Sequence, residues 1–144
     1  MMIKAVLPLP PSTNNLYINL KRGGRAKSVA YKDWLRIARA ELQVAYAACG
    51  SPVWPDKTRM ALTVRVGCNY RRDLTNCVKP VEDALCAFLP IPDDRYNEHV
   101  TITRDLDCEG FVVVNLCEHR RGCGESSDNY SPAPAVRAVS GGSA

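Results

Sequence analysis

The run Arg71-Arg72-Asp73-Leu74-Thr75-Asn76-Cys77-Val78-Lys79, with Asp93-Asp94 downstream, gathers carboxylates, a lysine and two arginines into a short span. Carboxylate oxygens bind hard cations such as Mg²⁺, and guanidinium or ammonium groups bind phosphate. Together they suit a metal ion working on a phosphodiester, where the ion polarises the phosphate and lowers the pKa of a bound water. Asp73 and Asp94 lead the candidate ligands, because each ends an element and loops commonly carry functional groups. Each also has a plain structural alternative, a helix N-cap for Asp73 and a turn aspartate for Asp94. Asp93 adjoins Asp94, and neighbours on a regular element point apart. It enters the candidate metal set as a supporting group that a loop could bring to the ion, or else as a turn residue. Glu82 and Asp83 are substitute ligands or ordinary helix-surface acids.

Asn76, Lys79 and Asp83 are spaced by three and four, which places them on one face of a continuous helix. Lys79 there could neutralise a pentacovalent transition state or assist the leaving group. The alternative is a Lys79–Asp83 surface ion pair of little energetic weight. Arg71 and Arg72 suit bidentate phosphate contacts. Lys21, Arg22, Arg25 and Lys27 flank Gly23-Gly24 and would extend such contacts, or simply solvate a loop. Tyr17 either stacks on an exposed base or packs beneath that loop. His99 and His119 are isolated, with no Ser–His or Cys–His arrangement. Cys117-x-His119-x₃-Cys123 lacks the paired spacing of structural zinc motifs. The seven cysteines therefore read as small hydrophobes in a reducing compartment.

The elements that must position these groups follow from periodicity. Residues 2–7 form a short strand stopped by Pro8, Pro10 and Pro11. Residues 12–28 read as a polar, basic loop. Trp34, Leu35, Ile37, Ala38, Leu42, Ala45 and Tyr46 recur at helical spacing over 29–48, with Ser28 as cap and Gly50 as stop. Met60, Leu62, Val64, Val66 and Cys68 alternate as a half-buried strand. Leu74, Val78, Val81, Leu85 and Phe88 mark a second helix ending near Phe88. Pro80 is tolerated in a first turn, which moves the helix start from Asp73 toward Lys79 and leaves a turn over 73–77. Pro90 and Pro92 then present Asp93-Asp94. Residues 100–106 and 111–116 read as two strands joined through Asp107-Cys108-Glu109-Gly110 as a hairpin. The order β-α-β-α-β-β predicts an α+β fold, a mixed sheet with two main helices packed against it. Residues 1–118 form one domain, and the Gly, Ser, Pro and Ala content of 119–144 predicts a disordered tail.

At 144 residues the chain can bury a core without staples. No apolar run approaches the ~20 residues of a membrane span, and no charged-then-apolar leader is visible, so a cytoplasmic location without membrane contact is expected. Residues 1–39 carry eight Lys/Arg and one acid, a balance of +7, whereas residues 40–144 carry eleven Lys/Arg and fourteen acids, a balance of −3. A basic front half suits a polyanionic partner, and the acids gather where a cation could use them.

These residues resemble the RusA-type Holliday-junction resolvases, a family widespread in bacteria and prophages. The likeness begins with Leu7-Pro8-Leu9-Pro10-Pro11-Ser12-Thr13-Asn14-Asn15-Leu16-Tyr17 and continues through the basic loop and the helix from Tyr31. It is strongest over Arg72-Asp73-Leu74-Thr75-Asn76-Cys77-Val78-Lys79, Asp83-Ala84-Leu85 and Asp93-Asp94, and it covers roughly residues 3–116. The resemblance implies a homodimer that binds four-way DNA junctions and cuts two opposed strands with Mg²⁺ or Mn²⁺, paired sites making paired nicks. It places metal ligands at Asp73, at position 75 and at Asp94, puts the family's lysine on Lys79, and draws Asn14 and Asn15 into the DNA-contacting set. Thr75 departs from it, because a hydroxyl supplies no charge to offset a cation. Asp93, Asp83 or Glu82 are the groups able to compensate. Two other classes stay open: a junction-binding protein without catalysis, and a general nucleic-acid-binding module.

Overall fold

The computed structural model describes residues 1–120. The expected disordered tail lies almost wholly outside them, as does Cys123 of the zinc alternative. β1 (Met2–Pro8), α1 (Val29–Ala48), β4 (Met60–Val66), α2 (Val78–Phe88), β5 (Asn97–Arg104) and β6 (Phe111–Glu118) realise the expected α+β class, with a mixed sheet and two helices. A small antiparallel hairpin of β2 (Tyr17–Asn19) and β3 (Arg25–Lys27) is added in the span read as a loop. Short polar strands give no hydrophobic alternation, so periodicity could not reveal it.

The four-stranded sheet runs β1-β6-β4-β5, with β6 antiparallel to both neighbours and β4 parallel to β5. The expected β5–β6 hairpin does not form, because β4 lies between the two strands. Every second residue of β4, Met60, Leu62, Val64 and Val66, is buried. A strand of that character gains most from pairing on both edges, and this outweighs the local turn signal at 107–110. The connection instead crosses the end of β4. Asp105 N–H donates to Val66 O, Gly67 N–H to Phe111 O, and Gly110 N–H to Gly67 O. Gly67 is dictated by that crossing, since a Cβ there would sit 1.7 Å from the Cys108 carbonyl oxygen.

Register sorts the side chains. Leu7, Val112 and Val66 align across the sheet, as do Ala5, Val114 and Val64, and Ile3, Leu116 and Leu62. All nine are buried, together with Tyr31, Trp34, Ala38 and Leu42 of α1 and Val81, Ala84 and Leu85 of α2. This face carries the helices. The opposite face carries Lys4, Thr63, Asn115 and Arg65, the last paired with Asp105 at 3.0 Å.

The helix ends obey their capping chemistry. Ser28 Oγ accepts from Tyr31 N–H at 3.1 Å and caps α1, and Gly50 follows the helix with φ +87°. α2 begins at Val78, so Pro80 lies within its first turn, where its missing N–H costs nothing. A 3₁₀ turn over Thr75–Cys77 leads into it. No described helix is long and apolar enough to cross a membrane.

Candidate functional site

The loop from Gly67 to Asp73 carries the first candidate ligand, and two arginines fix it. Arg104 Nη1 donates to the carbonyl oxygens of Cys68 (3.0 Å) and Asn69, and its Nη2 donates to that of Arg72 (3.0 Å). Its guanidinium also lies 4.8 Å from the Tyr70 ring centroid. Arg72 in turn donates to the Pro10 carbonyl, tying the loop to the Pro-Pro segment. Arg72 is thus turned into the protein, and its Nε is buried without a partner. Of the two arginines expected to meet phosphate, Arg71 is the exposed one. Thr13 Oγ1 donates to Asn76 Oδ1 at 3.0 Å and pins the same segment to the turn before α2. Asn14 and Asn15 beside it are exposed.

Asp73 caps neither helix, the N-cap positions being Leu74 and Cys77, and instead closes a local turn onto Thr75. Its Oδ1 accepts from Thr75 N–H at 3.1 Å and from Thr75 Oγ1 at 2.9 Å. The hydroxyl at position 75 therefore braces Asp73 rather than standing as an independent ligand. Asp73 Oδ2 has no protein donor among the described residues.

Lys79 occupies the centre of the group. Its ammonium lies 2.8 Å from Asp83, the surface pair the spacing offered, and also 3.0 Å from Asp94. Hydrogen bonds donated to Asp83 and then Asp94 push the Lys79 pKa well above its usual range, and the side chain stays protonated. Two carboxylates that converge on one cation form an oxygen-rich cradle. Asp93 and Asp94 take different partners. Asp93 caps the turn Asp94–Tyr96 and accepts from Arg95 N–H at 3.1 Å and Arg95 Nε at 2.9 Å. Those bonds hold its carboxyl at about 2, well below the ordinary aspartate value. As an addition to the metal set, Asp93 is therefore engaged elsewhere. Glu82 likewise accepts from Asn97 Nδ2 at 3.1 Å. Among the described residues, no three His, Cys, Asp or Glu side chains gather closely enough to hold an ion by themselves.

The basic hairpin is joined to this group through aromatic rings. Tyr17 meets Tyr31 edge-on at 5.9 Å, Arg25 lies over Tyr17 at 5.5 Å, and Lys27 over Tyr31 at 6.0 Å. Burial pushes the Tyr31 hydroxyl up to about 12, and the negative charge of Asp83 adds to the effect. Asp83 is thus electrostatically in touch with the ring on which the hairpin rests. Lys21, Arg22, Arg25 and Lys27 are all exposed. Tyr17 is only partly covered, so packing and an outward face coexist.

Sequence reasoning missed Arg104, although the signal was present. Val100, Ile102 and Arg104 alternate, which places an arginine in the row of Leu7, Val112 and Val66. A charge on a core-facing row must find partners, and here they are backbone carbonyls. Burial raises the Cys77, Cys86 and Cys108 thiols, which makes none of them a reactive thiolate. His119 lies 3.8 Å from Glu98 and stacks on His99 at 6.2 Å. No protein-family model and no curated protein matches the chain.

Proposed function

We propose that this protein is a metal-dependent endonuclease of the RusA type, cutting four-way and other branched DNA as a homodimer. The observation that carries the proposal is the convergence of Asp83 and Asp94 on Lys79, together with the braced Asp73 turn that precedes the same helix and the Tyr31-seated basic hairpin. Asp73 and Asp94 would hold Mg²⁺ or Mn²⁺, their donor chemistry matching such an ion. Bound there, the ion supplies Lewis acidity at the scissile phosphate and a water of lowered pKa.

The chain's own residues do the rest. Thr75 fixes the Asp73 carboxylate by two hydrogen bonds and leaves Oδ2 free for the ion. Lys79 holds Asp94 at 3.0 Å and would release it to a cation held there. Still tied to Asp83, its ammonium then serves the charge that develops on the phosphoryl oxygens or leaving group. Arg71 and the exposed hairpin cations neutralise flanking phosphates. A dimer provides two such sites for paired nicks.

One observation favours a second class, a junction-binding protein without catalysis: no three potential ligand side chains gather among the described residues. Incubating a synthetic four-way junction with Mg²⁺, with Asp73→Asn as control, separates the two. Nicking by the unmutated protein alone supports the enzyme, and binding without nicking supports the second class. Equal affinity for duplex and junction in a competition gel shift would mark a general nucleic-acid-binding module instead.

A further inference from the structure

We propose that the β2–β3 hairpin is an apolar wedge that enters unstacked base steps at the branch point of DNA, with Ile18 and Leu20 as the inserted side chains. The proposal rests on the nuclease reading and names how that site would recognise its substrate. Ile18 and Leu20 are 52% and 48% exposed, although both are large aliphatic residues. Strand alternation sets Ile18 on the face opposite Tyr17, which packs on Tyr31. Leu20 continues that face, because its N–H donates to Gly24 O at 3.0 Å and extends the ladder by one position. Gly23 and Gly24 then turn the chain at φ +88° and +87°, a region that admits glycine without strain.

Lys21 and Arg22 stand at the tip beside the aliphatic pair, while Arg25 and Lys27 lie on the opposite face, over Tyr17 and Tyr31. No acidic residue occurs before Asp33, so the hairpin complements a polyanion. Phosphate-binding cations beside an exposed aliphatic pair are what insertion between base steps requires. The tip cations hold the backbone beside the branch, and the apolar pair replaces lost base stacking. The hairpin is seated on Tyr31 of α1, the helix that packs against α2, which carries Lys79. Unstacking costs least where stacking is already interrupted, so a wedge here selects branched over continuous duplex.

The test uses full-length protein and a four-way junction carrying 2-aminopurine at the branch point, read by fluorescence in Ca²⁺ to prevent turnover. The unmutated protein should raise the fluorescence severalfold on binding. Ile18→Ser/Leu20→Ser should bind continuous duplex unchanged yet lose most of the rise and most of the junction preference. Ile18→Val/Leu20→Met should restore both. Both positions are exposed, and circular dichroism confirms that each variant is folded. A full rise with the serine variant overturns the wedge, as does loss of duplex and junction binding together. Stronger binding of the hairpin face to anionic lipid vesicles than to junction DNA overturns it in favour of a membrane contact. A shift from dimer to monomer in the serine variant overturns it in favour of a self-association surface. Mg²⁺-dependent nicking without any fluorescence rise sinks the wedge alone, whereas no junction binding at all sinks the nuclease reading with it.

Discussion

Replacing Arg104 by alanine removes the clamp on the loop that delivers Asp73. Three carbonyl oxygens lose a charged donor, those of Cys68, Asn69 and Arg72. Asn69 is exposed and Arg72 only half-buried, so water can reach their carbonyls and most of that loss is recovered. Cys68 is buried at 4% exposure, and its carbonyl is left unsatisfied, at about 1–3 kcal/mol. The lost contact with Tyr70 is worth about 0.5–1 kcal/mol at that exposed ring. The expected destabilisation is about 2–4 kcal/mol, within the margin of a domain stable by about 5–15 kcal/mol. Arg104→Lys should recover only part of it, because a single ammonium cannot span carbonyls on both sides of its fork. Urea unfolding followed by tryptophan fluorescence reads this as a lower midpoint at unchanged slope. A loss under about 0.5 kcal/mol for Arg104→Ala would be that of an ordinary surface position and would refute the clamp.

Three further outcomes are expected. Gly67→Ala drives a methyl into the Cys108 carbonyl and should cost about 3 kcal/mol in the same unfolding assay, whereas a neutral effect would mean that the crossing over β4 is misplaced. Lys79→Ala should bind Mn²⁺ about two- to fivefold more tightly by calorimetry, since exposed ion pairs of about 0.5–1 kcal/mol no longer compete, while cleavage falls; weaker binding would show that Lys79 does not stand in the cation's place. The folded Asp93 carboxyl lies at about 2 against an ordinary 3.8, so its stabilising effect is present above pH 3.8 and lost as pH falls toward 2. Urea midpoints of the parent and Asp93→Asn should therefore differ at neutral pH and converge across that window, and a constant gap would contradict the pairing with Arg95.

Periodicity made the helices and the apolar strands legible, because burial on one face leaves a direct imprint on residue spacing. Ser28, Gly50 and Pro80 could be placed for the same reason, as each satisfies a backbone requirement at a helix end. Strand neighbours were not legible. The turn residues at 107–110 signal a reversal of the chain, but they do not say whether another strand slips between its arms. That choice was made by β4, whose buried residues demand two partners. The Lys79–Asp83–Asp94 group was half-visible: helical spacing brings Lys79 to Asp83, whereas only the fold returns Asp94 to them. Thr75 looked like a lost carboxylate in the sequence and is, in the structure, a brace on Asp73. Arg72 was read as a bidentate phosphate contact beside the candidate ligands, yet its partner is the carbonyl of Pro10, sixty-two positions earlier.

The most direct measurement is strand-resolved cleavage of a four-way junction by the full-length protein in Mg²⁺, alongside Asp73→Asn and Asp94→Asn. A RusA-type nuclease gives paired nicks on opposed strands that depend on the metal and vanish in both variants without loss of junction binding. Tight junction binding with no Mg²⁺- or Mn²⁺-dependent nicking by the unmutated protein would contradict it.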